Sequence, residues 1–117
     1  MSDYGTTRYF TQTMASLGTL TPVYDLGPET WRRCYLQTPL IASNTTAYIH
    51  GAAESGLTFT RVQYVTINTL VAQAYDWQVL ISSGRCIEIP AGLRYMKIEL
   101  TSGQTQVAYS FTVICST

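Results

Sequence analysis

His50 is the chain's only histidine and sits in Ala47-Tyr48-Ile49-His50-Gly51. With Ser55, Ser82 and Asp76 present, the residue types of a Ser–His–Asp nucleophilic triad exist in this sequence. Such a triad needs a base within hydrogen-bond reach of the hydroxyl and a third group that orients the base. The spacing supplies neither: no Gly-x-Ser-x-Gly elbow precedes a helix, and no pattern fixes the third group. A lone His beside Gly51 at a strand end suits a surface or turn role, so the chain is expected to be non-enzymatic.

The carboxylates Asp3, Asp25, Glu29, Glu54, Asp76, Glu88 and Glu99 are scattered. Glycoside hydrolysis needs two carboxyls facing each other about 5–10 Å apart. Only Glu88 and Glu99, paired across a hairpin, would offer that, and solvated edge charges that discourage wrong strand pairing are the simpler role for them. No Asp-x-Asp-x-Asp-Gly calcium loop occurs. Cys34, Cys86 and Cys115 match no zinc spacing and no Cys-x-x-Cys motif. They are expected as small buried hydrophobes, with a Cys34–Cys86 or a Cys86–Cys115 bridge left open. No metal and no cofactor is expected. Asn44-Thr45-Thr46 matches a glycosylation acceptor. Met1–Gly5 shows neither the basic nor the apolar region of a signal peptide, which points to maturation in a reducing cytoplasm and leaves that match without meaning.

Arg32-Arg33, beside Trp31 and Tyr35, is the one cluster that joins basic and aromatic residues. Phosphate binding needs an excess of Arg and Lys. Here seven Lys plus Arg balance seven Asp plus Glu, and charged residues make up 12% of the chain, about half the usual share of ~25%. Nucleic acid and a polybasic membrane contact are therefore not expected as partners. No run approaches the ~20 apolar residues of a membrane-spanning helix. Arg together with Tyr instead marks protein–protein contacts. Trp31 or Trp77, if exposed in a shallow groove, would suit sugar stacking, although Trp in a sandwich usually fills the core.

A chain of 117 residues suits one domain with a real core. Residues 1–28 form an extended arm, irregular in pattern and rich in Thr and aromatics, with one strand at Thr7–Thr13. That strand either closes the domain's own sheet or lies on a neighbour. From Glu29 to Thr117, turn signals recur every 8–12 residues or so, the spacing of an all-β sandwich. About eight antiparallel strands are expected. Glu29–Gln37 alternates Trp31, Arg33 and Tyr35 against Arg32, Cys34 and Leu36. Leu57–Thr69 changes its apolar face, which predicts a bulge near Arg61. Trp77, Val79 and Ile81 face inward, as do Met96, Ile98 and Leu100. The last strand points Val107, Tyr109, Phe111, Val113 and Cys115 to one side. Leu70–Tyr75 is the best helix candidate and is only a few residues long.

Ile87-Glu88-Ile89-Pro90-Ala91-Gly92-Leu93-Arg94-Tyr95-Met96-Lys97-Ile98-Glu99-Leu100, followed by a short turn and a final strand, resembles the C-terminal half of β-sandwich or jelly-roll proteins of tailed-bacteriophage virions. Capsid decoration (cement) proteins and some tail proteins share this pattern. The resemblance covers about a third of the chain. It implies a jelly-roll-like structural protein of the virion, assembled in the host cytoplasm, that binds the major capsid protein and staples neighbouring subunits as a homo-oligomer, a trimer at a three-fold site. A tail or receptor-binding module that recognises carbohydrate is the alternative. Tyr4, Arg8, Tyr9 and Phe10 of the arm are too apolar to stay in water. The arm is therefore expected to reach a neighbouring subunit or the capsid; with Arg32 and Arg33 these are the candidate partner-binding residues, and a chain lacking residues 1–20 is expected to fold but to lose particle binding or oligomerisation.

Overall fold

The computed structural model describes residues 5–39, 45–52, 58–68, 71–81, 84–101 and 108–117. These carry eleven strands and no helix: β1 (Thr7–Met14), β2 (Tyr24–Asp25), β3 (Arg33–Gln37), β4 (Thr45–Ala52), β5 (Thr60–Arg61), β6 (Gln63–Asn68), β7 (Val71–Asp76), β8 (Gln78–Ile81), β9 (Cys86–Ile89), β10 (Tyr95–Leu100) and β11 (Tyr109–Ser116). One sheet has the order β1-β11-β3-β9. A second has the order β2-β10-β4-β5, with β8 also on β4, and β6 and β7 form a separate two-stranded sheet. Every strand pairing is antiparallel.

The period-two pattern places the core. Met96, Ile98 and Leu100 of β10 are buried, while Tyr95, Lys97 and Glu99 alternate with them at the surface. Phe111, Val113 and Cys115 of β11 are buried in the same way; Val107, expected in that row, lies outside the described residues. Cys34 and Leu36 of β3 and Ala47 and Ile49 of β4 complete the inner faces, so one apolar cluster lies between the two larger sheets. This is the β-sandwich that the turn spacing predicts. Tyr24 ties its layers together: from β2 its hydroxyl donates to the carbonyl of Phe111 on β11, 2.5 Å away. Burial pushes the Tyr24 pKa up, which keeps the donor protonated.

Contrary to the expectation of an arm that reaches a neighbour ahead of a sandwich starting at Glu29, the Thr7–Thr13 strand closes the chain's own sheet and Tyr24–Asp25 joins the other one. β1 pairs with β11 over eight residues, from Thr7↔Ser116 to Met14↔Tyr109. Phe10, Gln12 and Met14 turn inward, and Met14 is fully buried.

Three further readings change. Leu57–Thr69 divides at Val62, beside the expected bulge. The amide of Val62 donates to Ile49 at 2.7 Å and its carbonyl accepts from Trp77 at 2.8 Å, so one segment yields both β5 and β6. The helix candidate is β7: Val71–Asp76 pairs residue for residue with β6, and cross-strand pairing outweighs the helix preference of two alanines. Finally, β9 and β10 belong to different sheets. The Pro90–Leu93 corner crosses the sandwich, with Gly92 at φ 93°, a conformation that side chains rarely adopt. Glu88 and Glu99 therefore do not face each other across a hairpin; Glu88 is paired with Tyr35 and Glu99 with Tyr48.

Candidate functional site: an uncharged sheet face and a rooted hairpin

The outer face of the four-stranded sheet is set by register. Tyr9, Ile114, Tyr35 and Glu88 lie in one row across β1, β11, β3 and β9. On one side of it lie Thr7, Ser116 and Arg33; on the other lie Thr11, Thr112, Gln37 and Cys86. Cross-strand hydroxyl pairs stiffen this surface: Thr11 Oγ1 and Thr112 Oγ1 are 2.9 Å apart, and Thr13 Oγ1 and Ser110 Oγ are 3.0 Å apart. Tyr9 is 68% exposed in the row. Among the described residues of these rows, Arg33 and Glu88 are the charged ones on a broad Thr, Ser, Gln and Tyr surface. Arg33 engages the Tyr35 hydroxyl, which raises its pKa further.

The sequence-derived binding residues divide on this frame. Tyr9 and Arg33 share the outer face. Arg8 has the opposite parity and pairs with Glu29 at 3.5 Å. Phe10 is partly buried, edge-on to Trp31 with ring centroids 6.3 Å apart, and belongs to the core margin. Arg32 is exposed just before β3, and its amide donates to the carbonyl of Ser116. Tyr4 lies outside the described residues. Tyr35, named with the Arg32-Arg33 cluster, lies on this face beside Arg33; Ile114 was not singled out, although its parity, opposite to Phe111 and Val113, already assigned it an outward position.

Neither Trp offers an open platform. Trp31 is 3% exposed, and its indole N–H donates to Leu26 at 2.8 Å, which pulls it out of the expected alternation. Trp77 is half-buried and packs on the core. A shallow pocket of about 320 Å³ opens between Gly27, Glu29, Leu93 and Arg94. Its charges are already engaged, Glu29 by Arg8 and Arg94 by Asp25.

The titratable groups converge on the outer face of the second sheet. His50 Nε2 lies 2.7 Å from Glu99 Oε1. The Arg61 guanidinium grips both Glu99 oxygens at 2.9 and 3.0 Å, donates to Asp76 at 3.1 Å and lies over the Tyr48 ring at 3.7 Å. Gln63 donates to the other Asp76 oxygen at 3.0 Å. Ser55 and Ser82, the hydroxyls of the imagined triad, lie outside the described residues, and His50 and Asp76 are linked instead through Glu99 and Arg61. Among the described residues, no group of three His, Cys, Asp or Glu is placed to hold a metal.

This network roots the β6–β7 hairpin in the sandwich, because Gln63 and Asp76 are the hairpin's first pair. The hydrogen bond from Arg61 holds the Glu99 carboxyl below its ordinary 4.5 against opposing burial, with His50 adding to it. Hydrogen bonds from Gln63 and then Arg61 lower Asp76. Both folded-state pKa values are depressed, so the stability they confer is full above the ordinary carboxylate range and is lost as pH falls through the lowered values. A urea titration is expected to show a lower midpoint at about pH 3 than at neutral pH, and Glu99→Gln is expected to flatten that dependence. An unchanged slope in the variant would remove Glu99 from the linkage.

The cysteines depart from a uniformly buried set. Cys86 is exposed, because Ile87 and Ile89 take the inward positions of β9. Cys34 and Cys115 are buried, directly opposed on β3 and β11, with Sγ atoms 2.8 Å apart. The contact with Cys34, together with burial, pushes the Cys115 thiol up and keeps it protonated. Neither bridge left open by the sequence forms; all three thiols are free. An aromatic-disulfide reagent is expected to titrate one thiol per native chain quickly and all three in denaturant. Fast reaction of three native thiols would contradict this packing.

The hairpin beyond its root is exposed on both faces. Tyr64 and Tyr75 stack with ring centroids 5.6 Å apart, and Val65 and Val71 are also exposed. The chain matches no protein-family model, and no curated protein matches it.

Proposed function

We propose that this chain is a non-enzymatic structural protein of a phage virion, a decoration or cement protein that binds the capsid surface and joins neighbouring subunits. The observation that carries the reading is the outer face of the four-stranded sheet. It is broad and nearly uncharged, and the Tyr9–Ile114–Tyr35 row gives it an aromatic and aliphatic stripe. Such a surface supports contacts that salt does not weaken, and Tyr is enriched where protein contacts concentrate their energy. A small homo-oligomer, a trimer in this reading, that touches several capsid subunits gains avidity from modest single contacts. The partner is then the major capsid protein, and the site of action is the virion.

The test uses particles of the virus that encodes the chain. Immunogold labelling on heads supports decoration, and labelling confined to tails moves the protein to the tail. Particles without label refute both. In co-sedimentation with capsids, Tyr9→Ser combined with Tyr35→Ser is expected to weaken binding at least tenfold with the melting curve unchanged. Full binding by that variant would show that this face is not the anchor.

A further inference from the structure

Arg8, Cys115, Cys34 and Ile89 form one row across β1, β11, β3 and β9. Its two central members are the buried thiols, Cys115 with no exposed surface and Cys34 with 1%, and their sulfurs are in contact at 2.8 Å. Residues directly opposed on antiparallel strands have Cα atoms about 4.5–5.5 Å apart. That range lies inside the roughly 4.4–6.8 Å that disulfides span. The sheet backbone therefore already holds both cysteines at bridging distance. Cys86, the third thiol, is three positions back along β9 from Ile89, opposite Gln37, and exposed. An odd number of steps along a strand reverses the side-chain direction, so the sheet itself separates Cys86 from the pair.

We infer that Cys34 and Cys115 are a redox clasp: a buried dithiol that a hydroperoxide closes to a cross-strand disulfide. The nucleophile is a thiolate. The Cys115 S–H beside Cys34 favours the ionised form of Cys34, and the second proton of the pair is held back. The Cys34 sulfur attacks one oxygen of the hydroperoxide and the O–O bond breaks. Cys34 becomes a sulfenic acid, and the leaving hydroxide or alkoxide takes up the proton that Cys34 released. The Cys115 sulfur then attacks the sulfenic sulfur. The S–S bond forms, the S–O bond breaks, and the hydroxyl leaves as water with the Cys115 proton. Two thiols are oxidised and one peroxide bond is reduced; with hydrogen peroxide the products are one disulfide and two waters. Entry is through the end of the sheet. Arg33 begins β3 and Ser116 ends β11, so the pair lies one residue in from both strand ends, where local opening costs least. Such openings admit a small peroxide and exclude a bulky disulfide reagent. Cys115, already in contact, resolves the sulfenic acid before a second peroxide adds. Once closed, the bridge joins positions 81 residues apart and fastens β11 to β3. A crosslink over so long a loop restricts the unfolded chain strongly. The clasp needs no capsid, so it stands or falls apart from the proposed function.

The experiment uses the full chain with Cys86→Ser, an exposed position, so that only the buried pair reports. Native protein is treated with hydrogen peroxide in buffer containing a chelator, quenched with catalase, alkylated in denaturant and digested without reductant. No alkylated thiol is expected. A linked peptide carrying Cys34 and Cys115 is expected instead, lighter than its two reduced parts by two hydrogen atoms, together with a melting midpoint raised by about 10 °C. Reductant in denaturant is expected to restore both thiols. Two alkylatable thiols, under peroxide that fully oxidises Cys86 in the wild-type chain, overturn the inference. So does oxygen retained on Cys34 or Cys115 as sulfinic acid, or a bridged chain with an unchanged midpoint. Should Cys86→Ser fail to fold, the wild-type chain is mapped in the same way. A Cys34–Cys115 peptide then supports the clasp, and Cys86 linked to either buried cysteine, or no linkage at all, refutes it.

Discussion

A chain lacking residues 1–14 is expected to lose its cooperative unfolding transition. β1 pairs with β11 along its whole length. Beyond that ladder, Met14 is 1% exposed, Phe10 lies against Trp31, and the Gln12 side-chain amide donates to Val23 at 2.9 Å. Loss of a buried Met side chain alone costs about 2–5 kcal/mol, against a total stability of about 5–15 kcal/mol for an ordinary domain. The deletion also strips β11 of its partner on one side and leaves it as an exposed sheet edge beside the core. Urea denaturation followed by tryptophan emission is the measurement, since Trp31 sits beside the lost strand. A truncated chain that melts cooperatively at the full-length midpoint would restore the arm that reaches a neighbour.

Phe111→Ala is expected to destabilise the fold by about 3–5 kcal/mol, the range for emptying a fully buried aromatic site. Phe111 has no exposed surface and sits on β11, the strand between β1 and β3. Its carbonyl also accepts the Tyr24 hydroxyl, so backbone shifts around the cavity would disturb the bond between the two sheets. Equilibrium urea curves for the variant and for Tyr9→Ala give the comparison. The exposed Tyr9 position is expected to change stability by no more than about 0.5 kcal/mol. Equal, small effects at both positions would mean that β11 is not at the centre of the core.

Period-two alternation is local, and it carried most of the strand assignment. Residues two apart point the same way whatever the strand pairs with. Met96, Ile98 and Leu100, and Phe111, Val113 and Cys115, could therefore be placed inward from sequence, whereas the separation of outward Tyr9 from inward Phe10 waited for the β1–β11 ladder. The charge balance needed no structure either, since composition alone set the near-uncharged surface. What only the tertiary structure decided is which strands pair. Hydrogen bonding between strands is a relation between distant segments, and the alternation of β1 is the same on a neighbour as on β11. The Pro90–Leu93 corner likewise looks the same within a sheet as between two, so the separation of Glu88 from Glu99 became visible only with the sheet order. Trp31 followed a hydrogen bond to Leu26 rather than the alternation of the strand it precedes. The convergence of His50, Arg61, Asp76 and Glu99 joins four segments with no common spacing, and the stacked Tyr64–Tyr75 pair of the β6–β7 hairpin exists only once Val71–Asp76 is a strand in register with Gln63–Asn68.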